Sequence, residues 1–209
     1  ACANSAILVS QDGRWQFAHS KLREGVIEMF TAQEQAALSR EIAVALETIY
    51  PDDEALVAVL AEHWQRAGDT QKEAQYRYLT GVQMSQSAQP AAALNVLQRA
   101  LSLLEAGSPL RRPVTQLLGD MSRDMSEHQQ AMAYYVDSLR LARATHLNAA
   151  IAEALNGLGH ISLRGGHYPE AEQYFNEALE AAEADRGARD AALAESRQSR
   201  DALADQTVK

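Results

Sequence analysis

LGHISLRGGHYPEAEQYF, Leu158–Phe175, carries two histidines, a Gly-Gly pair and a Tyr-Pro step, and invites reading as a phosphate loop or a metal site. A phosphate loop needs a strand before its glycines and a Lys with Ser or Thr at the following helix start, and neither is present. His160 and His167 flank a turn rather than standing three or four apart on one helix, and no carboxylate partner lies nearby in sequence. The same spacing recurs upstream without the histidines or the Gly-Gly pair. Gly159, Ala171, Phe175 and Leu179 match Gly119, Ala131, Tyr135 and Leu139, 40 residues earlier. A further step of 38 reaches Gly81, Ala93, Leu97 and Leu101. What repeats is packing, not chemistry.

Each copy predicts two helices. A small residue at Gly81, Gly119 or Gly159 lets the second helix approach the first, and Ala93, Ala131 or Ala171 serves the same contact from the other side. Leu97, Tyr135 and Phe175 are expected to fill the gap towards the next pair. No single pair can bury its apolar face, so stability must come from stacked neighbours.

This pattern resembles the tetratricopeptide repeat over about Leu56–Arg186. Leu155, Leu158, Gly159, Gly166, Tyr168, Ala171, Phe175, Ala178 and Leu179 fall on family positions. The family period is about 34 residues; the longer steps of 38 and 40 imply longer helices. The Pro at the repeat end is missing, and a copy at Leu60–Ala74 needs a one-residue shift. The resemblance implies an all-α, right-handed superhelical array of antiparallel helix pairs. Its first helices would line a concave groove with Tyr78, Gln86, Gln116, Asp120, Arg123, Asn156, His160 and Arg164, beside Asp124 and Leu163. The Lys–Asn clamp with which the family grips a terminal carboxylate is absent, since the matching positions hold Tyr78/Val82, Gln116/Asp120 and Asn156/His160. A mixed polar groove for a peptide or partner helix is expected instead, with a solvated, unoccupied face as the alternative.

Elsewhere, breakers and caps divide the chain. Asp12-Gly13 between two apolar runs predicts a β-hairpin. Leu22, Val26, Ile27 and Phe30 have helical spacing. Thr31 with Glu34 forms a capping box for a helix whose stripe is Leu38, Ile42, Ala45, Leu46 and Ile49, stopped by Pro51. Asp52 or Asp53, then Thr70 with Glu73, Pro90, Ser126 with Gln129, Asn148 and Pro169 mark further helix starts. Residues 1–50 read as one region, 51–186 as the repeats, and 187–209 as a polar capping helix or truncated repeat with a frayed end.

The front resembles the end of the winged-helix domain of signal-transduction ATPases with numerous domains. Phe17, His19, Arg23 and Glu24, then Ile42, Ala43, Leu46 and Glu47, carry the resemblance, while Lys21 departs from it. It implies that His19 contacts a nucleotide phosphate in a longer parent chain. A helix-capping role beside Ser20 is the alternative.

Net charge of -9 argues against a nucleic-acid partner and against anionic membrane surfaces. Cys2 is the sole cysteine, so no intrachain disulfide or cysteine metal site forms, and a cytoplasmic setting is expected. No metal or cofactor is expected. Without G-x-x-x-x-G-K-[ST] the chain is not expected to hydrolyse nucleotide, and no catalytic set declares itself. Two functions fit: an interaction or sensor segment of a regulatory ATPase, or an array that packs on its own ATPase core or on a second copy.

Overall fold

The computed structural model describes the backbone of residues 8–11, 14–17, 20–87 and 89–207, and the side chains of 21, 24–87 and 89–187. Strands β1 (Leu8–Gln11) and β2 (Arg14–Phe17) pair antiparallel, Leu8 opposite Phe17. The Asp12-Gly13 turn, His19 and the Trp15 side chain lie outside the described residues. Helices carry the fold: α1 (Ser20–Glu28), α2 (Ala32–Ile49), α3 (Val57–Arg66), α4 (Thr70–Gln86), α5 (Pro90–Leu103), α6 (Arg111–Asp124), α7 (His128–Ala144), α8 (Asn148–Arg164) and α9 (Tyr168–Thr207). The last runs unbroken, so 187–207 continue a helix rather than open a new one.

The chain divides into two compact units at Tyr76/Arg77. The reason lies in the packing of the first unit. Trp64 of α3 is buried against Ala43 and Leu60, and its indole N–H donates to Glu47 of α2 at 3.0 Å. Lys72, on the first turn of α4, also donates to Glu47, at 3.1 Å. Burial, then the Glu47 carboxylate, pushes the Tyr76 phenol up to about 12. These ties hold α3 and the start of α4 with α2. The small Ala43 admits the indole, so α2 buries Ser39 and Ala43, while Leu38, Ala45 and Ile49 of the expected stripe stay exposed. Val26, Ile27 and Phe30 are likewise exposed rather than buried.

Caps follow local chemistry. The Thr31–Glu34 box is present, and Asp53 accepts from the Ala55 N–H to open a 3-10 turn before α3. Asp69, not Thr70, caps α4 by accepting from the Lys72 N–H at 3.1 Å.

In the second unit the repeated glycines do what their spacing demands. A Cβ at Gly81 would lie 2.5 Å from Leu97, at Gly119 2.7 Å from Tyr135, and at Gly159 2.6 Å from Phe175. Ala93, Ala131 and Ala171 are buried alongside. Each large residue therefore seats first on the glycine of its own hairpin, a correction to the expectation that it faces the next pair. Tyr135 does both, because a Cβ at Gly157 of α8 would lie 2.5 Å from its ring. Hydrophobic side chains of α4 to α6 form one cluster around Leu97 and Leu118, and those of α7 to α9 form another around Tyr135 and Leu158.

Four turns between helices share one geometry. The N–H groups of Asp69, Glu127, Leu147 and His167 donate to the carbonyls of Trp64, Ser122, Ala142 and Ser162, five residues back. This is the Schellman closure, which needs a left-handed residue just before each donor. Gly68 and Gly166 supply it with φ of 73° and 78°, but Ser126 and His146 adopt φ of 63° and 53° despite their side chains. Ser126 is thus the turn residue ending α6, not the cap opening α7.

Candidate functional site

Arg123, Asp124, Ser126, His160, Leu163 and Arg164 line a depression of about 580 Å³ at the C-terminal ends of α6 and α8. Helix periodicity puts 160, 163 and 164 on one face of α8, and the left-handed turn at Ser126 carries the chain along the rim. Three expected groove residues, Arg123, His160 and Arg164, are brought together.

One lining residue, Arg123, belongs to a polar network with Asp120 and Tyr135. The Tyr135 hydroxyl donates to Asp120 Oδ1 at 2.8 Å and accepts from Arg123 Nη1 at 3.1 Å. Arg123 also contacts Asp120 at 3.4 Å and Asp124 at 3.2 Å. Burial pushes the Asp120 carboxyl above the usual aspartate range, against the opposing pull of the Tyr135 hydroxyl and Arg123. Burial and the same carboxylate push the Tyr135 phenol up. In the next hairpin, His160 sets its ring edge-on to Phe175 with centroids 5.3 Å apart.

The remaining expected residues sit elsewhere. Gln116 accepts from Ser138 Oγ at 3.0 Å, which ties α6 to α7. Asn156 is exposed on α8. Tyr78 packs against the Leu97 cluster, and Gln86 is exposed at the end of α4. Neither joins the depression. Ser126 was not anticipated there, since nothing in its residue type signals a left-handed turn. Glu153 pairs with Arg112 at 3.6 Å, a tie between α8 and α6.

A second concavity, about 780 Å³, lies within the first unit between α1, α2 and α3, lined by Val26, Ile27, Phe30, Leu38, Ile42 and His63 among others. Burial and Arg66 hold the His63 imidazole below its usual range. Among the described residues no group of three or more His, Cys, Asp or Glu is placed to hold a metal ion, and no helix is long and apolar enough to cross a membrane.

Comparison with known proteins places this geometry. No curated protein matches the chain. Among solved structures, BtubC (BKLC) from P. vanneervenii is 16% identical, with a TM-score of 0.52 over 73% of this chain and 74% of that one. A Rap protein in complex with competence and sporulation factor is 18% identical, with a TM-score of 0.50 over 78% of this chain and 47% of that one. MamA is 19% identical, with a TM-score of 0.49 over 69% of this chain and 87% of that one. At these identities the likeness to BtubC and to the Rap protein is one of fold. The family model described as tetratricopeptide repeat matches residues 112–184. These residues are α6 to α8 and the first half of α9, where glycine meets aromatic ring at each crossing; this part of the chain is a tetratricopeptide repeat region.

Proposed function

We propose that the chain is a non-enzymatic interaction or sensor segment that takes a peptide or partner helix on the face formed by the first helices of its repeats. Tetratricopeptide repeats mediate protein–protein interaction, and the observation that carries the reading is the depression shared by Arg123, His160 and Arg164. Its polar groups come from successive repeats, so one ligand can bridge both. The Rap structure was solved with a bound factor; that is a property of Rap, and here it supports only that such arrays take ligands. The resemblance of residues 17–47 to the end of a winged-helix domain supports placing the segment in a larger regulatory ATPase in the cytoplasm, with His19 at a nucleotide phosphate in that parent. Partner capture by the purified chain, with the partner then identified and titrated, tests the reading. Arg123→Glu or Arg164→Glu is expected to weaken capture at least tenfold with an unchanged helical circular dichroism signal. Unchanged capture by both variants would remove the groove from the account.

A second reading is favoured by the exposed apolar residues of the first unit, Val26, Ile27, Phe30 and Leu38. Patches of this kind mark contact sites. They support an array that packs on its ATPase core and holds it inactive, in which case deleting the repeats raises the activity of the parent protein.

A further inference from the structure

Arginine 164 is the uncommitted charge of the depression. Arg40, Arg66, Arg111, Arg112, Arg123, Arg140 and Arg143 each pair with a carboxylate. Arg77, Arg99 and Arg186 also have partners. Among the arginines whose side chains are described, Arg164 alone has none, although the protein carries 28 acidic residues against 19 basic ones.

The register explains why. Asp124 stands 40 residues before Arg164, at the same place in the preceding hairpin, and lines the same depression. It is the one carboxylate among the lining residues, and its Oδ1 is turned to Arg123, whose Nε and Nη2 both donate to it at 3.2 Å. Asp120 is held deeper, by the Tyr135 hydroxyl and Arg123. Both aspartates are thus committed to one guanidinium. The second guanidinium retains its five N–H donors in a fork whose geometry suits a carboxylate. Its place in the last turn of α8 suits the helix dipole, which accounts for its tolerance there but uses none of those donors. Leu163 beside it offers an apolar surface for the methylenes of an acidic side chain, and the volume of about 580 Å³ falls in the range of small-ligand sites.

We infer that the depression binds a carboxylate, supplied by an internal Asp or Glu side chain of the partner, with Arg164 as the direct donor and Arg123 held beside it. This rests on the groove reading above and names its ligand chemistry. A side chain is the source that fits an open depression at the helix ends. Capture of a chain terminus would call for the Lys and Asn pair that the matching positions lack.

The test is a titration of the whole chain, at low salt, with four short fluorescent Ala-rich peptides. Two have blocked ends and differ only in Glu or Gln at two internal positions; the other two repeat them with a free C-terminus. The blocked Glu peptide is expected to bind at least tenfold more tightly than the blocked Gln peptide, and Arg164→Gln is expected to erase that difference. Equal binding of the blocked pair, or no binding by either, overturns the inference. So does a difference that survives Arg164→Gln. If the free-terminus Gln peptide alone binds, the side-chain source is wrong. The two levels separate cleanly. Loss of partner capture in Arg164→Glu without carboxylate preference leaves the groove standing and sinks the ligand class. Carboxylate preference with undisturbed partner capture does the reverse.

Discussion

Hairpins α6–α7 and α8–α9 place an aromatic ring at the same point, 40 residues apart, and treat it differently. Tyr135 is fully buried between Gly119 of its own hairpin and Gly157 of the next, and its hydroxyl is bound by Asp120 and Arg123. Phe175 meets Gly159 on one side and is only partly buried. Leu139, one turn on from Tyr135, is 8% exposed, while its counterpart Leu179 is 58% exposed. The polar residues change in step with the ring. Where Tyr135 needs partners for a buried hydroxyl, the chain has Asp120 and Arg123; where Phe175 needs none, the equivalent positions hold His160 and Leu163. A ring gains its full packing only when a further hairpin stacks on it, and a buried hydroxyl is tolerated only with its donors and acceptors supplied.

Truncating each ring tests this most severely. Tyr135→Ala is expected to cost about 3–5 kcal/mol, because it empties a sealed site and takes one hydrogen bond each from Asp120 and Arg123. Phe175→Ala, at a partly open site that water or neighbouring side chains can fill, is expected to cost roughly half as much. Chemical denaturation of the whole chain, read together with hydrogen exchange of α7 and α9 amides, measures both. Equal losses would mean that the stacked neighbour contributes little.

Filling the glycines is the next step down. Ala for Gly gains about 0.5–1 kcal/mol of helix propensity, but at Gly157 the new Cβ would press on a ring that Gly119 already backs. Overpacking of this kind costs about 1–3 kcal/mol, so Gly157→Ala is expected to be a net loss. At Gly159 the neighbour is Phe175, which has room to tilt, and Gly159→Ala should come close to neutral by the same measure. Tyr135→Phe sits near this scale. It keeps the ring but removes the hydroxyl between Asp120 and Arg123, an expected loss of about 1–2 kcal/mol, and it should loosen Arg123 at the rim of the depression.

How much of this was legible in the sequence follows the same divide. The crossings were, because a glycine can be read as the absence of a side chain and the 38- and 40-residue steps align the copies. Gly157 is not legible, because no other copy has a glycine there and its role depends on how far Tyr135 reaches. The buried face of α2 is not legible either, because the bulk of Trp64 selects Ala43 as its seat, a choice no periodicity within α2 can report. Arg123, His160 and Arg164 were placed on one face by counting along their helices, and the structure brings them to one depression. Tyr78 and Gln86, counted in the same way, lie outside it. Which arginine is free could not be read at all, since it depends on Asp124 turning towards Arg123.

The smallest effects lie in the turns, where the two hairpins use different residues for one backbone shape. Gly166 closes α8 with φ of 78°, whereas Ser126 closes α6 with φ of 63°. A side chain in the left-handed region is crowded by its own backbone, at about 1 kcal/mol relative to glycine. Ser126→Gly is therefore expected to stabilise the α6–α7 hairpin by about 0.5–1 kcal/mol, less the greater entropy that glycine confers on the unfolded chain. Gly166→Ala should destabilise α8–α9 by about 1 kcal/mol. His146→Gly, at φ of 53° between α7 and α8, serves as the control, because it shares the geometry but does not line the depression. If His146→Gly stabilises and Ser126→Gly does not, a side chain is being kept at 126 against backbone preference. The rim of the depression, rather than the turn, would then be what that serine serves.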